Sequence, residues 1–182
     1  MIVVLGVAGS GKSTQSQLLA ARDGMRWVSM GEVLRRVITD DRRDVMLAGK
    51  VLDEHETIEI LSEELTRLGD NPEIILDGFP RGLIQAEWLL KEREEGRFAI
   101  RAVVHLRADK NAVKTRLLAR GRQDDTEDAI AERFAEYEEK IKPIVSQFSN
   151  HGIPVVDINA ERSAVEVGQE IIAKLAEVGV DV

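Results

Sequence analysis

The stretch Ile2-Val3-Val4-Leu5-Gly6-Val7-Ala8-Gly9-Ser10-Gly11-Lys12-Ser13-Thr14 combines a short apolar run, a glycine-rich turn and the start of a helical pattern. Its segment 6–13 fits the spacing G-x-x-x-x-G-K-[ST]. Glycines in such a turn let successive backbone N–H groups face one phosphate, and the positive end of the following helix points to the same place. The motif follows a predicted strand and precedes a predicted helix, which is the context that this interpretation requires. The stretch therefore predicts a phosphate loop and a nucleoside-triphosphate site.

The composition excludes several classes of protein. The chain has 182 residues, of which 43% are hydrophobic and 32% charged, a balance typical of one folded domain. Its net charge of −8 argues against binding to nucleic acid or to an anionic membrane. The absence of cysteine excludes disulfides, cysteine-ligated zinc and thiol catalysis. With no apolar run of membrane-spanning length and no basic leader, we expect a cytoplasmic protein, and its charged surface favours a monomer.

Strands alternate with helices along the chain. Runs rich in Val and Ile predict strands at Ile2–Gly6, Arg26–Ser29, Glu73–Asp77, Arg101–Leu106 and Ile153–Ile158. Helical periodicity predicts helices at Lys12–Arg22, Asp53–Leu68, Gly82–Glu95, Asp109–Ala119, Thr126–Asn150 and Ala160–Val178. This alternation predicts an α/β protein with a doubly wound parallel sheet flanked by helices. Residues 30–60 and 119–128 lack the pattern and resemble insertions on one rim of the sheet.

A carboxylate and several arginines extend the candidate site. Asp77 ends an apolar strand, the position at which P-loop proteins hold Mg²⁺. The segment Gly78-Phe79-Pro80-Arg81 follows at the sheet edge where open α/β folds bind ligands. Guanidinium groups stabilise the charge of a transferring phosphoryl group, and further candidates for this role are Arg35, Arg116, Arg120, Arg122 and Arg133. The histidines at 55, 105 and 151 have no metal-ligand spacing, so we expect them to occupy surface or filler positions.

Four segments in this order resemble the adenylate kinase family of nucleoside monophosphate kinases. They are the phosphate loop with Thr14-Gln15, Gly31–Arg35, Leu76–Arg81 with Gln85, and Arg120–Asp125. The Asp-Gly-Phe-Pro-Arg and Arg-x-Asp-Asp segments are specific to these kinases. The resemblance continues through Arg133, Tyr137 and Pro143 and covers essentially the whole chain.

The resemblance implies a P-loop NTPase fold with a five-stranded parallel sheet in a single kinase domain. The core would comprise residues 1–28, 59–118 and 130–182, with a small helical monophosphate-binding region at 29–58 and a very short lid at 119–129. The implied reaction is ATP + AMP ⇌ 2 ADP with Mg²⁺, which serves adenine nucleotide homeostasis. No zinc is expected in a lid this short that lacks cysteine.

Site residues follow from the resemblance position by position. The implied ATP site comprises Gly9, Ser10, Gly11, Lys12, Ser13, Thr14, Arg116, Arg120 and the backbone around Arg162. The implied AMP site comprises Met30, Arg35, Lys50, Val51, Leu52, Gly78, Phe79, Pro80, Arg81, Gln85, Arg122 and Arg133. Transfer would involve Lys12, Asp77, Arg81, Arg120, Arg122 and Arg133. Mg²⁺ would be bound by Ser13 and Asp77, directly or through water.

Some positions depart from the family pattern, and two alternatives stay open. Ala8 replaces a Pro, Ser13 replaces a Gly, and Gly82 and Ile141 replace Thr. Met30 replaces a Thr beside the monophosphate base, which leaves the strictness of AMP selection open, while Gln85 still favours AMP over CMP or UMP. Alternatives are another small P-loop kinase, for pyrimidine monophosphates or gluconate, and a nucleotide-binding sensor without turnover.

Overall fold

Five parallel strands form one sheet within residues 1–37, 53–69, 72–121 and 125–182, the part of the chain that the computed structural model describes. In chain order the strands are β1 Ile2–Gly6, β2 Arg26–Ser29, β3 Ile74–Asp77, β4 Ala102–Arg107 and β5 Val155–Asn159. Their order across the sheet is β2-β3-β1-β4-β5, and every neighbouring pair is parallel. This confirms the predicted sheet.

Helices cover both faces of the sheet. They are α1 Lys12–Asp23, α2 Met30–Val37, α3 Glu54–Arg67, α4 Leu83–Glu94, α5 Lys110–Arg120, α6 Glu127–Asn150 and α7 Ala164–Glu177. One face of β1 packs through Val3 and Leu5 on a core shared with α3, α4 and α6, and the other packs through Ile2 and Val4 against α1 and α7. Each side chain buried in this way contributes about 1.5–3 kcal/mol relative to exposure. Among the described helices, none is long and apolar enough to cross a membrane.

The last helix starts later than the periodicity predicts. Residues 160–163 form a turn, and α7 begins only at Ala164. The Ser163 hydroxyl accepts a hydrogen bond from the Glu166 N–H, and the Glu166 carboxylate accepts in return from the Ser163 N–H. This capping box satisfies backbone donors at the helix start, so it sets the boundary that apolar spacing alone placed at Ala160.

The strand register places the carboxyl ends of β1 and β3 side by side. Val4 lies opposite Asp77, and Leu5 lies opposite His105 of β4 on the other side. The chain leaves β1 at Gly6, crosses the edge of the sheet and enters α1 at Lys12. The glycine-rich turn and the strand-end carboxylate therefore lie at one edge of the sheet.

Candidate functional site

A cleft of about 640 Å³ opens at this carboxyl edge. Its walls are the turn between β1 and α1, the end of β3, and the facing sides of α5 and α6. In open α/β sheets this edge is the usual place for ligands. The predicted site residues that line it are Gly9, Gly11, Lys12, Ser13, Thr14, Arg35, Asp77, Gly78, Pro80, Arg81, Arg116, Arg120 and Arg133.

Backbone geometry explains the glycines of the turn. Gly9 has φ +84° and Gly11 has φ +95°, in the left-handed region that side-chain-bearing residues rarely adopt. A Cβ on Gly9 would also lie 2.8 Å from Cγ of Leu117 on α5, so the turn packs closely against that helix. Gly11 caps α1 without any side chain at the helix end. The free N–H groups of the first turn of α1 are thereby left for an anion.

Lys12 places its ammonium group inside the turn. Its Nζ donates to the carbonyl of Val7 at 2.8 Å. Burial lowers the pKa of Lys12 to about 8; the charge of Asp77 opposes the shift, and the charges of Arg81 and Arg120 add to it. An anion bound beside Lys12 would favour its charged form, because opposite charges stabilise each other at short range.

Ser13 and Asp77 both line the cleft and are hydrogen-bonded to each other. The Ser13 hydroxyl donates to Oδ2 of Asp77 at 2.7 Å, and Asp77 is buried. A hydroxyl and a carboxylate are both ligands that Mg²⁺ accepts, together with phosphate oxygens and water. No group of three or more acidic or histidine side chains suited to a metal occurs among the described residues. The pair therefore fits a Mg²⁺ that shares its coordination with a nucleotide and does not fit an all-protein cage.

Five arginines converge on the cleft from α2, the β3–α4 turn, α5 and α6: Arg35, Arg81, Arg116, Arg120 and Arg133. Arg81 is held in place because its Nε donates to the carbonyl of Gly78 at 2.9 Å. Burial lowers the pKa of Arg81, although a guanidinium group in a protein keeps its charge. The cleft therefore carries strong positive charge in a protein that is acidic overall.

One buried carboxylate holds two of these arginines. Asp125 accepts from Arg120 Nε at 2.8 Å and from Arg120 Nη2 at 2.7 Å, a bidentate pair. Arg133 Nη1 lies 3.5 Å from Oδ1 of the same carboxylate. In the sequence, Asp125 stands out only as the last residue of the Arg-x-Asp-Asp segment. Its spacing of five residues from Arg120 is the signal that could have indicated the pairing.

Other predicted residues lie away from the cleft wall. The side chain of Met30 is 1% exposed and belongs to the apolar core, as does that of Phe79, which packs edge-on against Trp88 at 5.9 Å. A thioether and a phenyl ring gain more from this core than from a polar cleft. Ser10 is buried within the loop. Arg162 pairs with Glu170 of α7 and does not line the cleft.

Gln85 is buried directly behind Arg81. Its Oε1 accepts from the Arg81 backbone N–H at 2.7 Å, which fixes the orientation of the amide. The amide NH₂ of Gln85 is therefore the group left to donate to a further acceptor. The predicted site residues Lys50, Val51, Leu52 and Arg122 lie outside the described residues.

Comparison with known proteins gives one consistent result. The family model described as adenylate kinase matches residues 4–153. The adenylate kinase of Parasynechococcus marenigrum (strain WH8102) is 34% identical over 181 residues, which cover 96% of this chain and 98% of the relative. That of Synechococcus sp. (strain CC9902) is 32% identical, covering 93% and 95%. Adenylate kinase 1 of Nostoc sp. (strain PCC 7120) is also 32% identical, covering 96% and 97%.

Proposed function

The chain belongs to the adenylate kinase family, and from this premise we propose how its cleft carries out the reaction ATP + AMP ⇌ 2 ADP. It is a nucleoside monophosphate kinase, an ATP:AMP phosphotransferase. No observation on the described residues favours a pyrimidine nucleotide or gluconate as acceptor, or a sensor without turnover. The Asp77–Arg81 segment and the paired arginines instead suit two phosphorylated substrates that meet end to end.

The phosphates of ATP are bound by the glycine-rich turn. Backbone N–H groups between Gly9 and Thr14, at the start of α1, donate to the β-phosphate. The positive charge of Lys12 stays beside the γ-phosphate as it is transferred. The resemblance assigns Arg116 and the backbone near Arg162 to the nucleoside end of ATP. Support for this assignment comes from the left-handed glycines and the inward ammonium group.

Mg²⁺ would be held by the Ser13 hydroxyl and the Asp77 carboxylate, directly or through water, with the remaining ligands from phosphate oxygens. When bound, the ion neutralises charge on the β- and γ-phosphates. The 2.7 Å hydrogen bond between Ser13 and Asp77 supports this assignment, because it already brings the two oxygens together.

AMP is bound on the opposite side, by Arg35 and Arg81 at its phosphate and by Gln85 at its base. Gly78 and Pro80 border this pocket, and the resemblance assigns the main chain of residues 50–52, which lie outside the described residues, to the same substrate. Because the Oε1 of Gln85 accepts from Arg81 N–H, its NH₂ would donate to an acceptor such as a ring nitrogen of adenine. The side chain of Met30 supplies no polar contact to the base, since it lies in the core. Gln85 therefore carries more of the selection for AMP.

Transfer needs no nucleophile from the protein. A phosphate oxygen of AMP forms the new bond to the γ-phosphorus, while the bond from that phosphorus to the β-phosphate oxygen of ATP breaks. Lys12, Arg81, Arg120, Arg122 and Arg133 would stabilise the charge that spreads over the transferring group. Closure of a short lid at 119–129 and of the region 29–58 over the core would exclude water, which would otherwise accept the phosphoryl group.

The observation that carries this proposal is the convergence of the phosphate loop, Asp77 and five arginines on one cleft. A steady-state assay with Mg·ATP and the acceptors AMP, dAMP, GMP, CMP, UMP and gluconate tests it. We expect ADP formation to be fastest with AMP. Fast turnover with gluconate or a pyrimidine nucleotide, or ATP binding without turnover of any acceptor, would contradict it. We further propose that the enzyme is cytoplasmic and monomeric and does not bind nucleic acid.

A further inference from the structure

A buried histidine links three elements beside the cleft. His105 of β4 lies opposite Asp157 of β5 in the strand register, and its Nδ1 is 2.6 Å from Oδ1 of that carboxylate. Its Nε2 is hydrogen-bonded to the hydroxyl of Tyr137 on α6. The side chain of His105 is buried, whereas that of Asp157 is 59% exposed. His105 therefore bridges two other elements and does not merely fill space in the core.

Tyr137 connects this chain of hydrogen bonds to the cleft. Its ring lines the cleft and packs in the apolar cluster that contains Val7 and Ala8 of the phosphate loop. Arg133 lies four residues earlier on α6, one helical turn away on the same side. Tyr137 and Arg133 therefore lie on neighbouring turns of α6, and both line the cleft.

The contacts specify the tautomer of the neutral His105 ring. The Asp157 carboxylate can only accept, so Nδ1 of His105 carries a hydrogen, and Nε2 of the neutral ring accepts from the Tyr137 hydroxyl. Burial lowers the pKa of His105, although Asp157 opposes the shift, and burial raises the pKa of Tyr137 to about 12. The other charged groups near this pair are Arg107 on β4 and Glu138 on α6, and the β1 neighbour is the apolar Leu5.

We propose that His105 is a positioning residue for phosphoryl transfer, which acts through Tyr137 to hold Arg133 of α6 in place at the cleft. The inference rests on the proposed function. A proton added to Nε2 converts this acceptor into a donor that faces the Tyr137 hydroxyl. The Tyr137 hydroxyl must then rotate so that its oxygen accepts from Nε2, and the geometry of the hydrogen bond between the two side chains changes. The transfer step is therefore expected to slow in acid as His105 becomes charged.

Kinetics of five variants test the proposal. His105→Leu and Tyr137→Phe each remove the same hydrogen bond, so we expect a roughly three- to tenfold fall in kcat for either, with little change in KM for ATP or AMP. The double variant should lose no more kcat than either single variant does, because all three variants break the same series of hydrogen bonds. His105→Gln should restore most of kcat, since its amide oxygen can accept from Tyr137. His151→Gln, an exposed histidine at the end of α6, is the matched control and should match the wild type.

The pH dependence separates positioning from simple support of the fold. In the wild type, kcat should fall only at a pH below the ordinary pKa of histidine, because burial lowers the pKa of His105, and His105→Gln should lack this step. A fall in melting temperature with unchanged kcat, or additive losses in the double variant, would overturn the proposal. A step that persists unchanged in His105→Gln would also overturn it.

Nuclear magnetic resonance gives a readout that does not depend on turnover. The chain has three histidines and one tyrosine, so the ring signals can be assigned by the same variants. We expect the pKa of His105 to rise in Tyr137→Phe, because the lost hydrogen bond favoured the neutral ring. No change would show that the two side chains are not paired in solution, and this result would stand even if the assay above failed to detect adenylate kinase activity.

Discussion

Lys12 is the residue on which the proposed chemistry depends most directly. Its ammonium group lies inside the phosphate loop, where it donates to the carbonyl of Val7, and its side chain is not part of the apolar core. We expect Lys12→Ala to lower kcat by at least about 100-fold while the fold is kept, because a charge aimed at the transferring group is lost. Lys91→Ala, an exposed lysine on α4, is the matched control. A steady-state assay and circular dichroism measure both effects, and near-normal turnover in Lys12→Ala would refute the role.

The lowered pKa of Lys12 predicts a dependence of nucleotide binding on pH. A lysine carries its charge below its pKa, so in the free enzyme Lys12 loses that charge as pH rises through about 8. Bound phosphates favour the charged form, so Mg·ATP binding at pH 9 should take up a proton and should be weaker than at pH 7. Calorimetry in two buffers with different ionisation enthalpies measures the uptake. Equal uptake in the wild type and in Lys12→Ala would contradict the assignment.

At the scale of elements, Asp125 joins the end of α5 to the start of α6. Its carboxylate makes two hydrogen bonds to Arg120 and lies within ion-pair distance of Arg133. Two guanidinium groups that would otherwise repel each other are thereby held side by side. The charge of the Asp125 carboxylate neutralises part of the charge of both arginines.

We expect Asp125→Asn to lower the free energy of unfolding by about 1–3 kcal/mol, because a charged acceptor of two hydrogen bonds is lost. It should also lower kcat, since Arg120 and Arg133 lose their common partner. Asp128→Asn, an exposed acidic residue in the first turn of α6, is the control and should leave both quantities unchanged. Urea denaturation and the ADP assay measure the two effects. Unchanged stability in Asp125→Asn would show that the carboxylate is not paired in solution.

At the scale of the whole molecule, negative charge dominates the surface while positive charge gathers in the cleft. The chain carries −8 overall, yet five arginines and Lys12 face one cavity. Such a distribution draws anionic substrates to the site and repels other copies of the protein. The two most exposed large apolar side chains in the described residues, Leu18 and Val165, lie on different helices.

We therefore expect one sedimenting species near 20.3 kDa in sedimentation velocity, with or without ATP and AMP. The physical reason is mutual repulsion of acidic surfaces, so the result should hold at low ionic strength, where repulsion is least screened. A concentration-dependent shift toward twice that mass would contradict the proposed monomer.

The local sequence determined the class of fold and most of the candidate site. The apolar run into Gly6, the G-x-x-x-x-G-K-[ST] spacing and Asp77 at a strand end specify short-range geometry, because glycine conformation and strand period depend on neighbouring residues. Strand positions were predicted to within two residues. The start of α7 was wrong by four residues, since a capping box at Ser163 sets that boundary and apolar periodicity does not reveal it.

Tertiary structure decided which side chains meet. The side chain of Met30 lies in the core and that of Arg162 pairs with Glu170 of α7, contacts that the resemblance alone did not indicate. The pairing of His105 with Asp157 and Tyr137 joins residues that are 52 and 32 positions apart. Such contacts depend on strand register and on how α6 packs against the sheet. No local pattern encodes them, because they are determined by the burial of all the elements together.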